Sequence, residues 1–210
     1  MSCEEENNDD IKVILVGEMG TGKTSLINTS IGLQFQEKVA STIANTINNK
    51  TIQIEGKNFS ISLWDTIGQE KFRSLTKIFM KEAKVVIFVY DITKKETFDE
   101  LNYWFKSTKD IISNDAVMGV VGNKSDLFLK EEITEEQGQK LAEEHGYEFS
   151  LTSAKFPEMF CNFLEKMVKL YLTKNGIIGN NKNNNNTNNN NKQKLKNKNN
   201  HNHKKKKCCS

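Results

Sequence analysis

Apolar and polar positions follow two rhythms along the first 175 residues of the chain. Three short runs are almost wholly apolar, Ile11 to Val16, Val85 to Tyr90 and Val117 to Val121, as expected of strands buried on both faces of a parallel sheet. Between them the period is helical. Phe98, Leu101, Trp104, Phe105, Thr108 and Ile112 fall on one stripe, as do Phe160, Phe163, Leu164, Met167 and Tyr171, so each segment turns one face inward. Thr51 to Ile54 and Phe59 to Leu63 alternate around Glu55-Gly56-Lys57-Asn58, which predicts a hairpin. Tyr147 to Leu151 supplies a last strand. The order strand, helix, hairpin, helix, then strand and helix in turn, predicts a three-layer, doubly wound α/β fold. Its sheet is mostly parallel with one antiparallel edge pair. Such sheets bind ligands beyond the carboxyl ends of their strands.

The rhythm stops after Gly176. From Asn180 to Asn202 the chain is mostly Asn and Lys with Leu195 as its one large apolar residue, too little to offset the entropy of ordering. Three regions are therefore expected: an acidic extension over residues 1–10, a folded domain over 11–175, and a disordered Asn/Lys-rich tail over 176–210. As a flexible coil the tail spans about 30 to 35 Å. Lys plus Arg total 30 against 27 for Asp plus Glu, but the last 35 residues hold nine Lys and no acid. The body is thus acidic and the tail basic, which argues against nucleic-acid binding by the folded part. The tail lacks the interleaved aromatics that stack on bases, so no nucleic-acid partner is expected.

Candidate chemistry begins where the first strand ends. Gly17-Glu18-Met19-Gly20-Thr21-Gly22-Lys23-Thr24 satisfies GxxxxGK[ST] in the strand-to-helix context that motif requires. Its glycines let backbone N–H groups turn inward on a phosphate, Lys23 reaches the terminal phosphates, and Thr24 offers a hydroxyl to Mg²⁺. After the hairpin, Asp65 in Trp64-Asp65-Thr66-Ile67-Gly68-Gln69-Glu70 is placed to hold the metal. There the Gly68 amide is free to approach a γ-phosphate, and Gln69 can orient an attacking water. Asn123-Lys124-Ser125-Asp126 and Thr152-Ser153-Ala154-Lys155 follow the next two strands. A carboxylate at Asp126 accepts N1–H and the exocyclic amine of guanine and repels the N1 lone pair of adenine; such a mismatch discriminates by about 10⁴. Asn123 braces the loop and contacts N7, the stems of Lys124 and Lys155 flank the ring, and the Ala154 amide meets O6. An ATP-dependent metabolic kinase has no use for NKSD.

Together with Ser62-Leu63-Trp64, Lys71 to Thr76 (KFRSLT) and Val89-Tyr90-Asp91-Ile92-Thr93, these motifs resemble the Ras-like small GTPases and, within them, the Rab family, over roughly residues 10 to 175. The resemblance implies the P-loop NTPase fold of a Ras-like G domain, with GTP or GDP and Mg²⁺ as ligands. It assigns the nucleotide to Gly17, Gly20, Thr21, Gly22, Lys23, Thr24, Ser25, Phe35, Thr42, Asp65, Gly68, Asn123, Lys124, Asp126, Ser153, Ala154 and Lys155. Phe35 is similar to the aromatic that packs on guanine, and Thr42 to the threonine that ligates Mg²⁺ and senses the γ-phosphate. Thr24, Thr42 and Asp65 form the metal set; Gln69, Lys23 and Thr42 are the catalytic candidates. A switch of this kind is turned on by an exchange factor and off by a GTPase-activating protein, and acts through effectors in vesicle traffic.

Three departures stand out. Met19 occupies a position usually small in the family, Ile67 replaces the alanine of DTAGQE, and Ala44-Asn45-Thr46-Ile47 replaces Gly-Val-Asp-Phe. The first two crowd the water-positioning region and favour slow hydrolysis, with a GTP-bound adaptor as the limiting case.

The ending Lys204 to Lys207, Cys208, Cys209, Ser210 resembles the double-cysteine endings of Rabs, which carry geranylgeranyl groups. Two lipids and a basic run give stable anchoring where one lipid does not. A prenyl anchor on Cys208 and Cys209 is expected at the cytoplasmic face of an intracellular or plasma membrane, with a cytosolic pool held by a lipid-shielding escort. No apolar stretch approaches the roughly 20 residues that span a bilayer, and the N-terminus lacks a secretory h-region and the glycine that myristoylation needs. Cys3, Cys161, Cys208 and Cys209 form no disulfide or metal spacing. Cys161 reads as a buried apolar filler and His145 as an exposed helical residue.

Overall fold

A computed structural model describes residues 10–37, 42, 46–67 and 73–179, for 73–75 the backbone alone. Strand β1 (Ile11–Val16) leads into helix α1 (Lys23–Ser30). The hairpin follows as β2 (Thr46–Ile54) and β3 (Lys57–Asp65), then α2 (Arg73–Met80) and β4 (Val85–Asp91). Helices α3 (Lys95–Asp99) and α4 (Leu101–Lys109) precede β5 (Val117–Asn123). A 3-10 segment (Ser125–Lys130), α5 (Glu135–His145), β6 (Glu148–Leu151) and α6 (Pro157–Lys174) complete the order.

The six strands lie in the order β2-β3-β1-β4-β5-β6, parallel throughout except for the β2–β3 pair. Alternation along the central strands divides the apolar residues between two cores. Val13, Leu15, Val85, Ile87 and Val89 join Leu26 of α1 and Phe160, Leu164 and Met167 of α6. Ile14, Val16, Val86, Phe88 and Tyr90 join Met80, Leu101, Trp104 and Ala142 from α2, α4 and α5. These cores make a helix–sheet–helix sandwich of the doubly wound kind read from the sequence. The chain leaves β1 for one half of the sheet and later returns to fill the other, so β1 sits at the point where the order reverses. A crevice opens there at the strands' carboxyl ends.

Several boundaries differ from the sequence pattern. The hairpin loop is only Glu55-Gly56, both in the left-handed region (φ 51 and 80), the two-residue turn whose twist matches paired strands. Lys57 and Asn58 therefore belong to β3. Strand β2 starts at Thr46, five residues before the alternation, because Thr46 to Lys50 line an edge whose register with β3 continues to Asp65 while most of these side chains stay in water. The apolar stripe Phe98 to Ile112 is not one helix. It is divided at Glu100, where an i→i+3 bond from Tyr103 N (3.0 Å) tightens the turn, and Ile112 lies beyond Lys109.

Helix α5 begins with the reciprocal bonds of a capping box between Thr134 and Gln137 and ends at Gly146 with φ 69. Helix α6 begins with Pro157 in its first turn, directly after the Ser153-Ala154-Lys155 loop. At its far end Lys174 Nζ donates to Asn114 O (2.7 Å) and Ala116 O (2.8 Å), and Ile178 is buried in the α1/α6 core. No helix among the described residues is long and apolar enough to cross a membrane. Of the disordered tail expected over 176–210, residues 180–210 lie outside the described residues, as do residues 1–9 of the acidic extension expected over 1–10. Cys161 corrects its reading as a buried filler: it is half-buried, and Lys50 Nζ donates to its Sγ at 3.4 Å.

Phe160 is fully enclosed between α6 and the sheet. Phe160→Ala is expected to lower stability by about 3 to 5 kcal/mol, read from the denaturant midpoint with nucleotide kept saturating.

Candidate functional site

A cavity of about 580 Å³ fills the crevice, and its lining brings together Met19, Gly20, Gly22, Lys23, Thr24, Ser25, Phe35, Thr42, Asn123, Lys124, Asp126, Ser153, Ala154 and Lys155. Strand β1 aims the loop Gly17–Gly22 at it, and α1 starts at Lys23 with its free N–H groups turned the same way. Gly17 (φ 149) and Gly22 (φ 93) are required here: an added Cβ would collide with Val89 O at the first and with the Asn123 amide at the second.

Lys23 is buried inside its own loop. Its ammonium donates to Gly17 O (2.8 Å) and Glu18 O (3.0 Å). Burial lowers its pKa to about 8, against the opposing pull of the Asp65 and Glu18 carboxylates. A lysine so desolvated is primed for an anion, whose charge replaces the missing water. Thr21 Oγ1 closes the turn onto Glu18 O (3.0 Å), and the Trp104 indole donates to Glu18 Oε1 (3.2 Å), fixing the loop to α4. The sequence offered no signal for that last bond, which joins residues 86 positions apart.

Three oxygen-bearing side chains meet beside Lys23. Thr24 Oγ1 donates to Asp65 Oδ2 (2.7 Å) and lies 2.6 Å from Thr42 Oγ1. Asp65 Oδ1 is buried with no hydrogen-bond partner. Burial raises the Asp65 pKa despite the Thr24 hydroxyl and the Lys23 charge. Two hydroxyls and one carboxylate with an unsatisfied oxygen form a hard, all-oxygen donor set that fits Mg²⁺, which binds few protein ligands and keeps waters. The set offers none of the nitrogen or sulfur donors that zinc prefers.

At the other end of the cavity, Asn123 Nδ2 donates to Thr21 O (2.8 Å) and Thr152 Oγ1 to Asn123 Oδ1 (3.3 Å). One buried amide thus ties the phosphate loop, the β5 end and the β6 end. Asp126 Oδ1 accepts from Ser153 Oγ (2.6 Å), and Oδ2 lies 2.9 Å from Lys155 Nζ. Burial alone would push Asp126 up, but the Ser153 hydroxyl and Lys155 ammonium outweigh it and hold the carboxyl below its ordinary value. Phe35 stands across the opening with Lys155 Nζ 5.7 Å from its ring centre. Of the residues expected here, Gly68 and Gln69 lie outside the described residues.

A sequence profile described as the Ras family matches residues 12–173. The chain belongs to the Ras family, in its Rab branch. It is similar to human Ras-related protein Rab-12, 40% identical over 164 residues that cover 76% of this chain and 67% of that one. It is also similar to Ras-related protein Rab-13 of Bos taurus, 36% identical over 174 residues, 81% of this chain and 86% of the relative. Ras-related protein RABA2c of Arabidopsis thaliana is 38% identical over 143 residues, 68% and 66%. This Rab-family protein is a small GTPase, an enzyme that hydrolyses GTP.

Asn123→Ala removes the amide shared by Thr21 and Thr152, leaving buried groups unpaired. The expected loss is about 2 kcal/mol, or roughly 4 to 8 °C in melting temperature for a domain of this size, measured by scanning calorimetry.

Proposed function

We propose that the chain is a GTP/GDP switch anchored to the cytoplasmic face of a membrane and acting in vesicle traffic. The observation that carries the nucleotide reading is one cavity with Lys23, Thr24 and Thr42 at one end, Thr24 bonded to the buried Asp65 behind it, and Asp126 with Ser153, Ala154 and Lys155 at the other.

In this reading the loop amides of Gly17, Gly20, Thr21 and Gly22 cradle the phosphates, with Ser25 alongside them. Lys23 neutralises charge on the terminal phosphates, where a preorganised cation is worth most because it needs no reorganisation. Thr24, Thr42 and Asp65 would hold Mg²⁺, which when bound draws charge from the phosphate oxygens. The Gly68 amide approaches the γ-phosphate and Gln69 positions the attacking water; phosphoryl transfer rests on such positioning more than on covalent help. Asp126 selects guanine, Ser153 and Lys155 hold that carboxylate in place, and Phe35, Lys124 and the Ala154 amide frame the base. An exchange factor, an activating protein and effectors act on the switch, while geranylgeranyl groups on Cys208 and Cys209, the lysine run and a lipid-shielding escort govern its membrane residence.

A second reading is favoured by two side chains. Met19 is 52% exposed on the cavity wall, at the phosphate end, and Ile67 is packed at 6% exposure with its carbonyl accepting from Thr76 Oγ1 (3.4 Å). A thioether beside the reacting phosphate crowds the water-positioning glutamine, and a β-branched residue stiffens the pivot next to it. Slow hydrolysis follows, and at its limit a GTP-bound adaptor.

Phosphate release from GTP-loaded protein with Mg²⁺ is the test. GTP, not ATP, is expected to be retained and hydrolysed; equal retention of ATP would overturn the guanine assignment. Met19→Gly and Ile67→Ala are expected to release phosphate several-fold faster than the native chain, and equal single-turnover rates in all three would reduce both side chains to neutral variants. Combined Cys208→Ser and Cys209→Ser is expected to move the protein from the membrane pellet to the soluble fraction of expressing cells. Retention in the pellet contradicts the lipid anchor.

A further inference from the structure

The string Val89-Tyr90-Asp91-Ile92-Thr93 carries the chain out of β4. Its acid lies at the carboxyl end of β4, beside the base end of the cavity, and is wholly enclosed, 0% exposed. Asp91 Oδ1 accepts from Thr93 N (2.9 Å) and Thr93 Oγ1 (2.7 Å), and Oδ2 forms an ion pair with Lys124 Nζ. A carboxylate kept from water in this way needs its counter-charge, because an unpaired buried charge is strongly unfavourable.

Lys124 is held in a conformation that a lysine seldom takes. Its φ of 67 and ψ of 34 lie in the left-handed region, which L side chains occupy only when their surroundings over-determine it. The surroundings here are the Asp91 pair on the side chain and a backbone bracket on either side. Ile92 N donates to Asn123 O (3.1 Å), Ser125 N to Thr152 O (3.0 Å) and Leu127 N to Lys124 O (2.8 Å). The Asp91 backbone is pinned in turn, its N–H donated to Thr97 Oγ1 (3.0 Å) and its carbonyl accepting from Lys94 N (3.0 Å). The ammonium is therefore directed at a fixed anion, and Lys124 helps to line the cavity wall.

We infer that Asp91 is a positioning residue for the bound nucleotide: through its ion pair it holds Lys124 against the base and so sets how long nucleotide stays. This rests on the guanine-nucleotide reading of the cavity. The Asp91 carboxylate is engaged by Thr93 and Lys124, and among the described residues no bond joins it to the Thr24, Thr42 and Asp65 oxygens, so its effect falls on residence and not on the hydrolytic step. It is also distinct from Asp126, so the preference for guanine over adenine stays where it is.

The test compares the displacement rate of fluorescently labelled GDP from the full chain, with Mg²⁺, for the native protein, Asp91→Asn, Lys124→Met and the double variant. An amide at position 91 keeps an acceptor for Thr93 but presents a neutral group to the ammonium. Asp91→Asn is expected to release GDP faster by about ten-fold or more, with the single-turnover rate on pre-bound GTP unchanged and the GTP-over-ATP ratio retained. The double variant is expected to release no faster than Lys124→Met alone, since both changes remove one interaction. Thr93→Val removes only the hydroxyl donor to the same carboxylate. It is expected to shift release in the same direction by a smaller factor, and it carries the test if Asp91→Asn does not fold. Release within two-fold of native in every folded variant at 91 and 93, or effects that multiply in the double variant, would overturn the inference. Failure of the native chain to bind labelled GDP would instead overturn the reading of the cavity, and it is recorded before any variant is compared.

Discussion

The phosphate loop takes its shape from a lysine that it has swallowed. The Lys23 ammonium sits in the hollow of Gly17 to Gly22, bonded to two of that loop's own carbonyls, and burial makes its charge expensive to keep. The Gly17 and Glu18 carbonyls turn toward the ammonium, and the same loop delivers Lys23 and the N-terminus of α1, with its free N–H groups, to the crevice. Both glycines at the ends of the loop are there for clearance, one against the β4 backbone and one against Asn123. The sheet's strand order, which places β1 at the reversal point, gives that loop room to open into a cavity rather than a wall.

Around this centre the site is assembled from loops far apart in sequence and stitched by buried polar groups. The Asn123 amide binds the phosphate loop to the base end, Thr152 braces the amide, and Ser153 steadies Asp126. Two of these stitches join the carboxyl ends of the neighbours β5 and β6, and the third reaches across the end of β4 to the loop after β1, so the parallel ladder fixes their spacing before any side chain does. Removal of one partner leaves the other without water or a substitute, which is why such networks act as units.

Much of this could be read from residue order alone because the chemistry is local. GEMGTGKT, NKSD and TSAK each place their groups within one turn of chain, and the buried strands announce themselves by uninterrupted apolar runs. What could not be read had a different cause in each case. The front half of β2 has Ile47 as its one apolar residue, itself exposed, and exists through its ladder to β3, so no period betrays it. Phe98 to Ile112 keeps a helical stripe across the tightened turn at Glu100, since one i→i+3 bond barely moves the stripe. The Glu18–Trp104 and Asp91–Lys124 contacts join distant residues, and no single stretch carries a sign of either. Asp91 was visible as part of a string and Lys124 as part of a motif, yet only the sheet brings them together.

Helix α6 connects two places with different tasks. It starts directly after the loop that frames the base, runs 18 residues, about 27 Å at helical rise, and is clamped at its far end by Lys174 and Ile178. The clamped end of the helix therefore lies a full helix length from the base loop. The helix acts as a handle: force or tethering applied at one end is borne by the α1/α6 core, and the pocket at the other end is free to change its contents without letting go.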